Sequence, residues 1–466
     1  MTREAAARRG TNNGRPRVAS IAAALGVLAV AGFASSAAAA DNEDIATRVC
    51  KGAAPPDAVL VENRRGLDAR GADGRTALVC ATLAGDLDLV GRLLDAGADP
   101  SATAIVSVAD TMNGPAAHDP LANVEAAALA VAAARGSETM VARLIDAGAD
   151  VNAEEPALPA LLLAALSGHT DIVTRLLDAG ADIDRNDDVP AALLLAHGMG
   201  DAIAAEEGRN VGAPAIAAAV GRNDLSTLRV LLERGADPDA TVNGTFTPLL
   251  VAAYEGRAEA TQLLLDAGAD VEAAAEPATT PLLVAVIERR QDVAMLLLEA
   301  GAEANARSDM AETPLQSAVD TDQPALVGPL VEAGAELDLK LQGGNHLLHL
   351  AASRGHAGVA RALVENGFPV DAASKTGYVA LHTAAGFGHA DVVRALLAVG
   401  AAVDPRADNG ETPLHVAARN GHGDVVRTLL DRGADPALRS NDGYTPVEFA
   451  RNWGRARTVD VFNEAR

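Results

Sequence analysis

The sequence predicts an all-α solenoid built from repeated helix–turn–helix units, and three observations predict it. The phrase Leu-Leu-x-x-Gly-Ala-Asp, or a close variant, recurs with its glycine at Gly97, Gly148, Gly180, Gly235, Gly268, Gly301, Gly334, Gly367, Gly400 and Gly433. The six intervals from Gly235 to Gly433 are all 33 residues, a period that marks a stacked array rather than a single globule. The 466-residue chain is 49% hydrophobic but only 2% aromatic, so its core is made of Ala, Leu and Val, side chains small enough for closely stacked helices.

Residues 410–435 are the most regular unit. Thr412 suits an N-cap, and Pro413 stands at the first helical position, where a missing N–H costs nothing. Leu414, Val416, Ala417 and Ala418 give the first helix its apolar face, and Gly421 closes it with a residue that tolerates a left-handed backbone. A second helix begins near Asp424, carries Val425, Val426, Leu429 and Leu430, and stops at Gly433. Helices of about two turns are too short to stand alone in water, so each unit depends on its neighbours.

A 33-residue period, a turn, and first helices that open with Thr247-Pro248-Leu249, Thr280-Pro281-Leu282, Thr313-Pro314-Leu315 and Thr412-Pro413-Leu414-His415 give a chain that resembles the ankyrin-repeat family over about residues 66–460. The resemblance implies a solenoid of about eleven to twelve units including caps, joined by β-hairpin-type loops.

Taken in order, the chain begins with a segment unlike the rest. Arg3, Arg8, Arg9, Arg15 and Arg17 precede an uncharged apolar run over residues 21–33, and then Ala37 to Ala40 before Asp41. A basic start, a short apolar stretch and an Ala-x-Ala site read as a secretory signal peptide over residues 1–40. An uncleaved anchor, which needs about 20 apolar residues, is the alternative. Export implies a periplasmic or secreted protein, and the use of Arg in place of nearly all Lys is read as a GC-rich, bacterial coding bias. Loss of the signal, with five Arg and one Glu, takes the formal charge from -25 to about -29. A surface that acidic disfavours nucleic acid and anionic lipid and favours a basic partner, or serves solubility alone.

Residues 41–72 read as an N-terminal capping unit, with short helical segments near residues 45–50 and 57–62. Cys50 and Cys80 are the only cysteines. An even pair in an exported protein invites a disulfide. Taking Gly52 and Gly85 as equivalent helix ends places Cys50 one unit before the helix that holds Cys80; two buried free thiols are the other reading. The array spans residues 73–440, irregular over 98–235 and regular over 235–440. Gly97 to Gly148 is 51 residues, with the surplus over 101–125 in a hairpin loop; Gly180 to Gly235 is 55 residues. The second surplus, 187–211, reads as a truncated repeat in preference to a loop. Asn223 replaces glycine at a left-handed helix end. Pro329, inside a second helix, predicts a kink and the softest point of the array. Residues 441–466 form a C-terminal capping half-repeat with Trp453 expected to pack on the end of the stack.

No catalytic machinery emerges. His349, His382 and His415 end Thr-Pro-Leu-His-like motifs, and His169, His356, His389 and His422 sit beside helix-ending glycines, positions that the resemblance makes structural. His118, His197 and His346 show no metal-ligand spacing. The pairs Asp182/Asp184 and Asp237/Asp239 recur in register and read as turn residues rather than acid–base dyads. No nucleophile elbow, phosphate loop or dinucleotide fingerprint is present, so neither an enzyme nor a cofactor or metal is expected.

Surface recognition is what remains. The resemblance implies that a protein partner of unknown identity binds along the hairpin tips and the inner ends of the first helices. In this register the tips carry Phe246, Tyr378 and Tyr444, and the helix ends carry Tyr254, Glu255, Glu288, Asp320, Arg354, Phe387, Arg419 and Asn420. Phe246, Tyr254, Tyr378 and Phe387 are the candidate anchors, since aromatics and Arg dominate hot spots; tyrosine after a turn glycine is equally ordinary repeat decoration. The leading expectation is a monomeric, non-enzymatic, periplasmic binding scaffold with no membrane contact once the signal is cleaved. The alternatives are a secreted effector that engages a host or competitor protein and, remotely, an enzyme whose site is built by the 101–125 or 187–211 insertion.

Overall fold

The computed structural model describes residues 44–107, 123–153, 157–186, 188–191, 194, 210–274, 279–308 and 310–464. The expected signal peptide, His118, His197 and most of both insertions lie outside the described residues. Among the described residues twelve helix pairs stack in chain order, from Ile45–Cys50 with Asp57–Glu62 to Pro446–Asn452 with Ala456–Glu464. First helices pack on first helices and second helices on second helices of the next unit, so the core is a continuous seam and each unit touches chiefly its neighbours. In the unit of residues 410–435, Leu414, Ala417, Ala418, Val425, Val426 and Leu429 are all 0% exposed; a fully buried Leu or Val contributes about 1.5–3 kcal/mol.

The punctuation works as the residue types dictate. Thr247, Thr280 and Thr313 each accept the N–H of the residue three positions on, just ahead of a proline at the first helical position. Gly421 closes its helix at φ 87°, and Asn223 does the same at φ 58°, the conformation in which Asn is the next best residue after glycine.

Two hydrogen-bond columns lock successive units together. Residues after the first-helix end donate to the orphan carbonyls of the preceding unit's first helix: Arg257 to Gly221, Arg290 to Tyr254, Gln323 to Val286, His356 to Val319, His389 to Ser353, His422 to Gly386 and Arg455 to Arg419. Along the turns, Asp184 accepts the N–H of Asp237 at 2.8 Å, Asp239 that of Asp270 at 3.1 Å and Asp404 that of Asp435 at 2.9 Å. The recurring carboxylates are therefore a ladder between units; desolvation raises the pKa of Asp239 and Asp404 above the ordinary carboxylate value.

Both insertions begin and end in paired strand segments. Thr103–Ser107 pairs antiparallel with Asn123–Ala127, and Arg70 from the capping unit holds Glu125 through two 3.0 Å bonds while also donating to Thr103. Asp188–Pro190 pairs with Asn210–Gly212 in the second insertion. The expectation of a truncated repeat there is corrected: Ala160–Ser167 packs directly on Ala215–Arg222, and the hydroxyls of Thr170 and Thr227 meet at 2.8 Å. Among the described residues no helix pair separates these two helices, which bury each other's apolar stripes.

Three further positions bear on the expectations. Cys50 and Cys80 are joined, with Cα atoms 5.0 Å apart and a sequence separation of 30, linking the capping unit's first helix to the helix Ala77–Ala84. The expected kink at Pro329 is absent: Pro324–Glu332 is one unbroken helix. Its ring must clear the carbonyl of Ala325, an exposed first-turn residue that can tilt outward, while buried Leu326, Val327 and Leu330 anchor the helix. Trp453 does not pack on the end of the stack; it is 58% exposed, and Phe449, Val461 and Phe462 seal that end. It caps the helix Pro446–Asn452, one period after Asn420 and two after Phe387, and so holds the same register position in the ridge of helix ends.

Candidate functional site

The inner ends of three first helices, Pro314–Asp320, Leu347–Arg354 and Ala380–Phe387, and the turns before the first two of them enclose a shallow groove of about 700 Å³. The helices contribute Gln316, Asp320, Leu350, Arg354, Thr383 and Phe387, and the turns contribute Met310, Glu312, Leu341, Gln342 and Asn345. Thr313 caps the first of these helices and puts Pro314 at its start, while Gly355 and Gly388 end the other two at φ 85° and 82°. These fixed starts and stops set where the last side chains of each helix emerge.

Two apolar side chains stand out of the surface here. Met310 is 85% exposed and Phe387 62%; the Phe387 ring stacks on His389 with an interplanar angle of 7°. Between them Arg354 grips Asp320 at 2.8 and 2.7 Å through two nitrogens. The groove thus combines apolar anchors with partly answered charge, the composition of a protein-recognition surface rather than of a reaction centre.

The structure brings Asp320, Arg354 and Phe387 together and disperses the other candidates. Phe246 is half-buried and packs against the core, so it is not a free anchor. Tyr254 is half-buried, with its carbonyl taken by Arg290, and Glu255 faces Arg257 at 3.7 Å. Glu288 is half-buried one unit before the groove. Tyr378 lies tilted by 55° against the His382 ring, with centroids 4.9 Å apart, and donates its hydroxyl to Glu411 at 2.8 Å; burial first, and then that carboxylate, push its pKa above the ordinary phenol value. Arg419 reaches the other oxygen of the same Glu411 at 2.6 Å. Asn420 donates to the Gly386 carbonyl at 2.8 Å, and Tyr444 is 45% exposed beside Phe449. Tyr378, Arg419 and Asn420 are therefore committed to internal contacts.

Met310, Leu341 and Leu350 escaped the sequence reading. Met310 did leave a signal, because it is a large apolar residue at a turn position where the neighbouring periods carry Gly343, Thr376 and Asn409.

The histidines at the starts of three first helices hold structure. His349, His382 and His415 each take a backbone N–H on Nδ1, from His346, Val379 and Thr412 at 3.2 Å. The proton therefore sits on Nε2, which donates to the carbonyls of Tyr378, Glu411 and Tyr444 in the next unit at 2.9, 3.1 and 3.0 Å. Burial lowers the pKa of all three, that of His382 to about 4. Among the described residues the one cluster with ligand-like proximity is Cys50, Asp73 and Cys80, and its two sulfurs are bonded to each other.

Family models described as "Ankyrin repeats (3 copies)" match residues 110–187, 191–275, 215–308, 315–407, 348–440 and 399–462, and one described as "Ankyrin repeat" matches residues 73–105. No curated protein matches the chain. No helix among the described residues is long and apolar enough to cross a membrane.

Proposed function

Because the chain belongs to the ankyrin-repeat family, whose arrays are protein–protein interaction scaffolds and generally not enzymes, we propose that it is an exported scaffold that holds a protein partner in the groove between Met310 and Phe387. The observation that carries this reading is the exposure of those two side chains in the lining of one groove, 85% and 62%. A large apolar residue left in water at a concave site is the usual form of a binding anchor. The periplasm is the proposed compartment, on the strength of the basic and apolar start with its Ala-x-Ala site and of a cysteine pair suited to an oxidising space. The reading takes the chain as a monomer in itself, with one concave face for one partner.

Crosslinking in intact cells that make the tagged chain, followed by capture of the adduct, tests the reading. The unaltered chain retains a defined partner, and Met310→Ala with Phe387→Ala lowers retention at least about tenfold, the cost of losing hot-spot contacts. Undiminished capture by the double variant removes the groove from the account. Fractionation with N-terminal sequencing tests the compartment, the expected product beginning at Asp41.

A further inference from the structure

The groove also indicates the chemistry of its occupant. Glu312 and Asp320 stand three periods before Glu411 and Arg419. In the later unit these two positions form an ion pair of 2.6 Å, with Tyr378 closing the second carboxylate oxygen at 2.8 Å. In the earlier unit the arginine position holds Asp320 instead, so two carboxylates line the groove where the same framework elsewhere seats a carboxylate and a guanidinium. Arg354, from the next unit, is spent on Asp320. Glu312 accepts from the Ser317 hydroxyl at 2.8 Å, and among the described residues no cation lies within ion-pair reach of it. At the other regular periods the corresponding pairs are Phe246/Tyr254, Thr279/Ile287, Asn345/Ser353, Tyr378/Gly386 and Tyr444/Asn452, none with two acids. Two carboxylates at these paired positions occur in this unit alone within the regular array.

We infer that the groove takes an extended segment of the partner in which an Arg or Lys lies next to a bulky apolar residue. The cation sits against Glu312 and Asp320, as Arg419 sits against Glu411, and the apolar neighbour packs on Leu350 and Phe387. Charge complementarity fixes the first half of this description: Asp320 is already paired with Arg354, whereas Glu312 holds only the Ser317 hydroxyl, so a partner cation answers Glu312 and a partner carboxylate is repelled by it. The exposed apolar wall fixes the second. The inference rests on the scaffold reading of the same groove and adds the identity of the recognised side chains.

Selection of phage-displayed random dodecapeptides on the immobilised full-length mature chain tests it. Selected peptides are expected to be enriched in a basic residue adjacent to Leu, Met, Phe or Trp. Glu312→Gln, which retains an acceptor for Ser317, is expected to weaken their synthetic versions by about tenfold to a hundredfold, the usual range for a charge-assisted contact. Glu312→Arg is expected to shift a fresh selection toward acidic peptides. Peptides that lose binding with Phe387→Ala yet show no basic enrichment and ignore Glu312→Gln overturn the basic occupant and leave the scaffold reading in place. Peptides indifferent to both substitutions, or no selected peptides, overturn the groove itself.

Discussion

His382 shows how one side chain joins two units. Its ring is 0% exposed, takes the Val379 N–H on Nδ1 and returns its own proton to the Glu411 carbonyl. Protonation of Nδ1 would set two N–H donors against each other and bury a charge, which is why burial lowers the pKa from 6.5 to about 4. An unfolded chain binds this proton below about pH 6.5, whereas the folded chain refuses it until about pH 4. Stability is therefore complete above the upper value, falls as the pH drops through that window, and loses nothing more from this group below it; the full loss is about 3 kcal/mol. His349 and His415 shift in the same direction. Urea midpoints measured from pH 7 to pH 4 should fall for the unaltered chain and fall less for His382→Gln, although that variant starts lower at pH 7. Parallel slopes for the two proteins would show that the histidine column is not the source. The residue scale is also where sequence reading was weakest. Thr-Pro-Leu-His, the closing glycines and Asn223 were legible because each satisfies a local backbone demand. The half-burial of Phe246 and Tyr254, the Tyr378–Glu411 bond and the exposure of Trp453 were not legible, because exposure depends on which side chain the next unit places beside them, and no local pattern encodes that.

The helix Pro324–Glu332 stays continuous across Pro329, so the sequence rule overestimated geometry but not necessarily energy. The proline still has no N–H for the Ala325 carbonyl. Pro329→Ala should stabilise its unit, by up to about 3 kcal/mol in the limit of an unstrained helix interior. Hydrogen exchange should show slower exchange at residues 330–333 in the variant, and unchanged rates there would mean the helix has already relaxed around the ring. At the other end, the Cys50–Cys80 link closes a loop with 30 residues of sequence separation, which in the chain-entropy picture contributes about 3–4 kcal/mol. Reduction, or Cys50→Ala with Cys80→Ala, should speed exchange in the helices Ile45–Cys50 and Asp57–Glu62 while leaving residues 413–431 unaffected, because an array transmits stability chiefly to its neighbours. Loss of protection along the whole chain would contradict that localisation. The two long intervals divide in the same way: their existence was plain in the spacing, but whether the second was a unit or a loop turned on a contact between Thr170 and Thr227, which are 57 residues apart.

For the molecule as a whole, regularity and function lie in different places. The period, the caps and the two hydrogen-bond columns make a scaffold that any of the regular units could describe. Recognition belongs to departures from it: Met310 at a turn tip, Phe387 at a helix end, and Asp320 where the later unit carries Arg419. The groove was only half legible in advance, because it assembles from three units and its walls are defined by residues that are unremarkable within each one. The most direct measurement places a photoreactive amino acid at position 310, 387 or 361, the last an exposed site on the second-helix side of the same region, in cells that make the chain. The account predicts one partner adduct of the same mass from positions 310 and 387 and none from position 361. An adduct from position 361 with none from the groove would contradict it.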